Sequence, residues 1–355
     1  MRIGIDAREL VGHVTGVGKY LAGLLDEWTS SGAAARHHFV LYAPTALPAK
    51  LNGFDIRVVA GASGTWWQQT ALPAAARRDS LDVFFAPQYT APVFLNLPTV
   101  VVIFDVSFAA HPEWFRTREG MRLRALARWS ARRARDIVTI SEFSRDEIAE
   151  HLNVDVRRIH VIPPGIPRRS TNAAMHREAR LLYVGSLFNR RHVMDLIRAF
   201  ATVGRRRTDA SLDIVGDNRT YPFEDVAAAI AREALGDRIR WHRYASDDQV
   251  AELYKRASAF AFLSEYEGLG LTPLEALSAG VPSVLYDTPV ARESCGDAAL
   301  YVAPGDHAAT ARAIDALLFD DATREGLLAA APAVVAKYSW PRAAAATLRL
   351  LEAHQ

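Results

Sequence analysis

Two glutamates separated by seven residues, Glu267 and Glu275, lie in the run Glu265-Tyr266-Glu267-Gly268-Leu269-Gly270-Leu271-Thr272-Pro273-Leu274-Glu275-Ala276. Gly268 and Gly270 suit a loop whose backbone comes close to a ligand, and Thr272-Pro273 predicts a helix cap followed by proline in the first turn. One carboxylate then stands before a helix N-terminus and the other just inside it. Unpaired N–H groups and the positive end of the helix dipole suit phosphate, while carboxylates accept hydrogen bonds from sugar hydroxyls. The stretch therefore fits a nucleotide sugar. A structural reading is open for Glu275: with Thr272 at N-cap and Glu275 at N3, the two match a capping box.

The elements that would position these groups alternate along the chain. At 355 residues the sequence exceeds the usual single-domain size, and two domains, each with its own core, are expected. The net charge of +2 argues against a protein built to coat nucleic acid, and none is expected as a partner. Cys295 is the only cysteine, which excludes an intramolecular disulfide and fits a reducing compartment. Met1 to Asp6 enters a buried strand at once, leaving no room for a signal peptide, and no apolar run is long enough to cross a bilayer. A cytoplasmic location follows as the expectation.

Short unalternating apolar runs at Ile3–Ile5, Phe39–Tyr42, Ile56–Val59, Val83–Phe85, Val100–Phe104, Ile137–Ile140 and His160–Ile162 predict parallel strands buried on both faces. Helices are expected at Tyr20–Thr29, Glu119–Arg135 and Ser144–Leu152, the last capped by Ser144. Proline, glycine and polar residues from Pro163 to Asn172 mark the domain boundary. The pattern then restarts, with strands at Leu181–Val184, Leu212–Val215, Ile239–His242, Phe260–Leu263 and Ser283–Tyr286. Helices are expected at Val193–Val203, Asp247–Arg256 and around Glu275, with two more at the end. The fold class is α/β, with two doubly wound Rossmann-like domains facing across a cleft, where ligands bind beyond the carboxyl ends of the strands. The expected division is residues 1–167, a linker at 168–178, residues 179–337, and a final helix at 338–355 that crosses back to the first domain.

Five segments, in their order, resemble the retaining GT-B glycosyltransferases of family 4, in particular a bacterial mannosyltransferase-like subgroup. They are Gly16-Val17-Gly18-Lys19-Tyr20; Ser107-Phe108 through His111-Pro112-Glu113-Trp114-Phe115; Val161-Ile162-Pro163-Pro164-Gly165; Tyr183-Val184-Gly185-Ser186-Leu187-Phe188-Asn189-Arg190-Arg191; and the Glu267–Glu275 motif. The closing Tyr338-Ser339-Trp340-Pro341 is similar to the family's return to its first domain. The resemblance covers nearly the whole chain. It implies a donor site of Gly16, Gly18, Gly185, Gly268, Leu269, Gly270, Leu271, Thr272 and Glu275, with Glu275 on the ribose diol. It assigns the diphosphate to Arg190 and Arg191, and the transferred sugar with its phosphate environment to Glu267.

Elementary chemistry fits those assignments. A departing nucleoside diphosphate gains negative charge, so donors preorganised around it stabilise the transition state more than the ground state. Arg190 and Arg191 follow a strand that ends at Gly185, where both guanidiniums could fork onto phosphate oxygens. A solvated arginine pair opening a helix is the other reading. Gly16 and Gly18 would turn backbone N–H groups toward the diphosphate, or simply form a turn. A P-loop is excluded because His13 stands where its first glycine would be and Tyr20 replaces its Ser or Thr. No Asp-x-Asp pair or histidine cluster at ligand spacing is evident, so neither a metal nor a cofactor is expected, the nucleotide sugar being a substrate.

Phe104 departs from the family, which usually has histidine before the aspartate corresponding to Asp105. The change removes a polar sugar contact and either alters donor choice, for example toward a deoxysugar, or weakens activity. Asp105 remains, to orient an acceptor hydroxyl or to cap a loop. Arginines at 116, 118, 122, 124, 128, 132, 133 and 135 face only Glu119, and Arg124, Arg128 and Arg132 recur every four residues. Such a helix reads either as an anionic-membrane contact near a lipid-linked acceptor or as a solvated face. His242, Tyr244 and Tyr254 are candidates for contact with the nucleotide base or for the core, Cys295 for a small buried residue, and Glu293 for a helix start.

The function expected is transfer of a hexose, mannose from GDP-mannose in first place, to a saccharide or lipid-linked saccharide. A UDP-hexose or deoxysugar donor is the alternative. A sugar-nucleotide epimerase and a catalytically silent binding subunit are the rivals from other classes.

Overall fold

The computed structural model describes residues 1–12, 16–47, 51–61, 64–167 and 178–354. His13 and residues 168–177 of the expected linker lie outside the described residues. The chain forms two compact units, Met1–Gly165 with Tyr338–Gln355, and Ile166–Lys337.

In the first unit the strands are β1 (Arg2–Asp6), β2 (His38–Ala43), β3 (Phe54–Val58), β4 (Val83–Ala86), β5 (Thr99–Val102), β6 (Asp136–Thr139) and β7 (Ile159–Val161). They form one parallel sheet in the order β3-β2-β1-β4-β5-β6-β7. Residues 3–5, 83–86 and 100–102 are fully buried, because helices cover both faces and leave the strands no polar side. One face packs with helix α1 (Gly16–Ser30) through Leu21, Leu24, Leu25 and Trp28. The other packs with α2 (Thr117–Arg133) and α3 (Glu142–Leu152) through Ala127, Ala131, Ile148 and Leu152.

Helix α3 begins two residues before the expected Ser144. Its cap is Ser141, whose Oγ accepts from Ser144 N at 3.0 Å, and Ser144 Oγ instead donates to Phe104 O at 2.9 Å.

The second unit has β8 (Glu178–Val184), β9 (Ser211–Val215), β10 (Ile239–His242), β11 (Ala257–Phe262), β12 (Ser283–Tyr286) and β13 (Ala299–Val302). All are parallel, in the order β10-β9-β8-β11-β12-β13. Strand β13 was not expected. It is a short edge strand whose two middle residues are only half-buried, so it lacks the apolar run that marks the others. The helices used below are α4 (Val193–Gly204), α5 (Asp247–Arg256), α6 (Leu271–Ser278), α7 (Pro289–Cys295), α8 (His307–Phe319), α9 (Asp321–Val335) and α10 (Trp340–Glu352). Three helices, not two, close the chain, because Asp320 ends α8 and caps the start of α9. Glu293 lies inside α7, which Thr288 caps and Pro289 opens.

Helix α10 packs in the first unit. Trp28 Nε1 donates to Ala344 O at 3.0 Å, and a Cβ on Gly23 or Gly165 would stand within 2.7 Å of Trp340. His354 Nε2 meets Asp136 Oδ2 at 2.7 Å, tying the helix end to β6.

Candidate active site

In the second unit the strand order reverses between β8 and β11, so the loops leaving these neighbours diverge and open a crevice at their carboxyl ends. The loop after β8 carries Gly185, Arg190 and Arg191, and the loop after β11 carries Ser264, Glu267 and Gly270. Gly185, Arg190, Arg191, Glu267 and Gly270 are thus brought to the switch point of one sheet.

Arg191 and Glu267 form a two-point pair. Nε donates to Oε1 at 2.7 Å and Nη2 to Oε2 at 3.1 Å, while Nη1 donates to Ser186 O at 2.9 Å. The two side chains are only 15% and 16% exposed. The fork expected to open onto phosphate is therefore closed on a carboxylate, since a buried glutamate needs a counter-charge. Burial alone would raise the Glu267 carboxyl, but the Arg191 and Arg190 charges and a 2.9 Å hydrogen bond from Ser264 Oγ hold it below its ordinary range. Burial also works against the Arg191 cation, and Glu267 more than offsets it.

Both guanidiniums lie over the Phe188 ring, Arg190 at 4.4 Å and Arg191 at 5.3 Å, and Arg191 also faces Phe262 at 5.0 Å. Beneath them Gly185 has φ +147°, and a Cβ there would stand 2.9 Å from Arg191 Nη1. The positive φ favours glycine, and a Cβ would displace the Arg191 guanidinium. Glu265 N donates to Arg190 O at 3.0 Å, which joins the two loops through their backbones.

Helix α6 starts earlier than expected. Its N-cap is Gly270, held at φ +82° without a side-chain cap, which places Thr272 at N2, Pro273 at N3 and Glu275 at N5. The capping box read from the spacing is therefore absent, because Gly270 takes the left-handed turn and the helix begins before Thr272 can cap it. Thr272 Oγ1 is buried without a hydrogen-bond partner. The capping role of Glu275 falls with the box. Leu269 is buried in the approach to this turn, and Leu271 opens the helix. Of the aromatics weighed for base contact, Tyr254 is buried beneath Thr272 O at 3.4 Å and His242 meets Asp213 at 2.8 Å, whereas Tyr244 is exposed.

In the first unit the switch falls between β1 and β4. Gly16 is exposed at the first turn of α1 and Gly18 is buried, with no acidic side chain in that turn. Asp105 Oδ1 accepts from Ser107 N at 2.9 Å, the loop-capping contact, while Oδ2 accepts from Tyr89 OH at 3.2 Å. Phe104 packs edge-on to Tyr20 at 5.1 Å and Tyr89 at 6.2 Å. Sequence reasoning missed Asp6, fully buried at the end of β1. Its Oδ2 accepts from Gln88 Nε2 at 2.8 Å and Gln68 Nε2 at 3.3 Å, with Arg8 Nε 3.6 Å away. Burial raises its carboxyl, and Arg8 and the amides only partly offset this. A charged residue ending an otherwise apolar strand was the available signal.

On α2, Arg128 and Arg132 are exposed, as are Arg118 and Arg122, whereas Arg124 is half-buried; Arg128 also donates to His151 O at 3.0 Å. Spacing by four follows the helix but not its buried face, which Gly120, Ala127 and Ala131 define. One acid-histidine group was also missed. Glu147, Glu150 and His151, on adjacent turns of α3, bring three ligand atoms within 4.8 Å of one another. Cys295 is buried, which pushes its thiol up to about 11. Among the described residues no helix is long and apolar enough to cross a membrane.

Comparison with known proteins agrees with this geometry. The glycosyltransferase family 4 model matches residues 14–169, and the glycosyl transferases group 1 model matches residues 168–333. The chain is 27% identical over 288 residues to O-antigen chain mannosyltransferase B of Escherichia coli, covering 78% of this chain and 75% of that one. It is 26% identical over 218 residues to the O-antigen chain mannosyltransferase RfbU of Salmonella typhimurium, covering 61% and 60%. Among solved structures, WaaG, a glycosyltransferase of lipopolysaccharide biosynthesis, superposes over 99% of both chains with a TM-score of 0.76 at 18% identity. Anabaena HepE, solved with UDP and glucose, gives 0.74 at 17%, again over 99% of both chains. With matching models on both units and the doubly wound pair of sheets, the chain is a glycosyltransferase of GT-B type.

Proposed function

We propose that this enzyme is a retaining, metal-independent hexosyltransferase. It moves mannose, from GDP-mannose in first place, to a saccharide or lipid-linked saccharide in cell-surface polysaccharide synthesis. The observation that carries the reading is the cluster of Arg190, the Arg191–Glu267 pair and the α6 N-terminus at the switch point of the second unit. Arg190 and the helix dipole offer positive charge to a departing diphosphate without a bound cation. Glu267, with both carboxylate oxygens engaged by Arg191 and its basicity lowered, is a poor nucleophile. That favours front-face transfer, in which the leaving phosphate takes the acceptor's proton. The two O-antigen mannosyltransferases among the relatives support mannose.

A UDP-hexose is the second reading, favoured by the UDP-glucose bound in HepE and by the 28% identity to a Mycobacterium tuberculosis glycogen synthase. Phe104, apolar beside Asp105, keeps a deoxysugar donor in this reading. The exposed arginines of α2 add a peripheral contact with an anionic membrane at the inner face of the cell, where a lipid-linked acceptor would be presented.

A panel of GDP-mannose, UDP-glucose and a deoxysugar nucleotide tests the proposal by thermal stabilisation, then by turnover with acceptor and the anomeric configuration of the product. GDP-mannose should stabilise most and give a product of unchanged configuration. Donor isomerisation without acceptor would instead reveal an epimerase, and binding without any turnover a silent subunit.

A further inference from the structure

His192 directly follows the two arginines and occupies the N-cap of α4 at φ 44°, ψ 42°. That left-handed conformation is uncommon outside glycine, and histidine is among the few other residues that adopt it. The imidazole is 29% exposed and lies between two carboxylates from separate elements. Nδ1 is 3.3 Å from Asp195 Oδ2 on α4. Nε2 is 2.9 Å from Glu265 Oε1 on the loop after β11, a charge contact without hydrogen-bond alignment. The ring packs on Tyr286 of β12 at 5.3 Å. Asp195 is also met by Arg198 at 3.1 Å and by His307 of α8 at 4.0 Å. Arg190 and Arg191 precede the imidazole in the chain, and Glu265 N holds Arg190 O at 3.0 Å. Glu265, two residues before Glu267, thus touches the arginine turn through its backbone and His192 through its side chain.

We propose that protonated His192 is a positioning residue for the donor site. By bridging Asp195 and Glu265 it fixes the Arg190-Arg191 turn against the Glu265–Glu267 loop and offsets a carboxylate that would otherwise oppose the diphosphate. The inference rests on the donor-site reading proposed above. When the imidazole loses its proton, the Glu265 charge remains and the bridge weakens. Diphosphate affinity then falls as pH rises.

The test is calorimetric affinity for UDP and for GDP between about pH 5.5 and 8.5. Wild type is compared with His192→Asn, His192→Gly, Glu265→Gln and His307→Asn. Asparagine and glycine both tolerate the left-handed backbone, so folding is preserved by at least one of them. Ionisation of the nucleotide itself cancels in the ratio of wild type to variant. Wild type should bind about tenfold more tightly than His192→Asn at the acid end, a typical coupling between charged sites, and nearly equally at the alkaline end. Glu265→Gln should shrink the pH dependence toward that of His192→Asn, and His307→Asn should follow wild type. A ratio constant with pH would overturn the inference while leaving the donor site intact. Failure of wild type to bind either nucleotide at any pH would overturn both.

Discussion

Strands β1 and β4 of the first unit correspond in topology to β8 and β11 of the second, and both pairs flank the point where strand order reverses. Past β8 and β11 the chain sets Arg190, Arg191 and Glu267; at the end of β1 and past β4 and β5 it sets Asp6, Gln88, Tyr89 and Asp105, with Gln68 packed beside Asp6. Each place buries a carboxylate, and the two shift in opposite directions. Glu267 is held ionised by guanidinium, whereas burial raises Asp6, whose hydrogen bonds come mainly from neutral amides. One winding therefore yields a crevice lined by guanidiniums in the second unit, and in the first a layer in which amides and a phenol surround two carboxylates with Arg8 beside one of them. Topology fixes where a ligand can bind; side chains fix which kind.

The contrast breaks most readily at Arg190. Arg190→Ala should lower turnover by roughly a hundredfold or more, as for loss of a transition-state charge donor, with little change in melting temperature. Near-normal turnover would remove the cationic character claimed for the second unit.

Glu267→Gln should come next, through stability as well as activity. It leaves the Arg191 guanidinium without its counter-charge, at a cost of about 3 kcal/mol, read by denaturant unfolding. Because the folded carboxyl is depressed, the wild-type advantage is full above the ordinary glutamate value of 4.5 and is lost as pH falls through the lower folded value. An advantage that grew on acidification would show that the pair is not ionised.

Glu275→Gln sharpens the same region. With the capping box absent, nucleotide affinity should drop about tenfold while the melting temperature stays within a degree or two, as expected for a charge-assisted contact to a ligand. A fall in stability alone would restore a structural role.

The smallest effect is expected on the first unit's outer face, where the charges act at longer range. Reversal of Arg118, Arg122 and Arg132 should abolish binding to anionic vesicles, and binding by wild type should weaken steeply with salt, since headgroup attraction is screened within about 10 Å at 0.1 M. Turnover of a water-soluble acceptor should survive. Equal wild-type binding to neutral vesicles would leave these arginines as a solvated face.

The strand pattern was legible because buried parallel strands are uninterrupted apolar runs; β12 and α5 fall at the expected residues. Edge strand β13 was not, because half-buried positions carry no such run. The Glu267–Glu275 spacing and the arginine pair pointed to two loops that the sheet brings side by side. Helix starts were less readable: at Gly270 and Ser141 a cap lies upstream of the residue chosen by type, and only the observed turn tells which one the backbone uses.

By itself, then, the sequence determined two α/β units, the two loops that carry Arg190, Arg191 and Glu267, and the pairing of guanidiniums with a glycine-ended strand. These depend on periodicity and residue type, which are local. Only the tertiary structure decided that Arg191 is committed to Glu267 across 76 positions of the chain, that Asp6 draws on Gln68 and Gln88, and that His192 lies between Asp195 and Glu265. Those pairings arise from which strands become neighbours when the sheets are wound. No local signal in the chain encodes the partner of a buried charge.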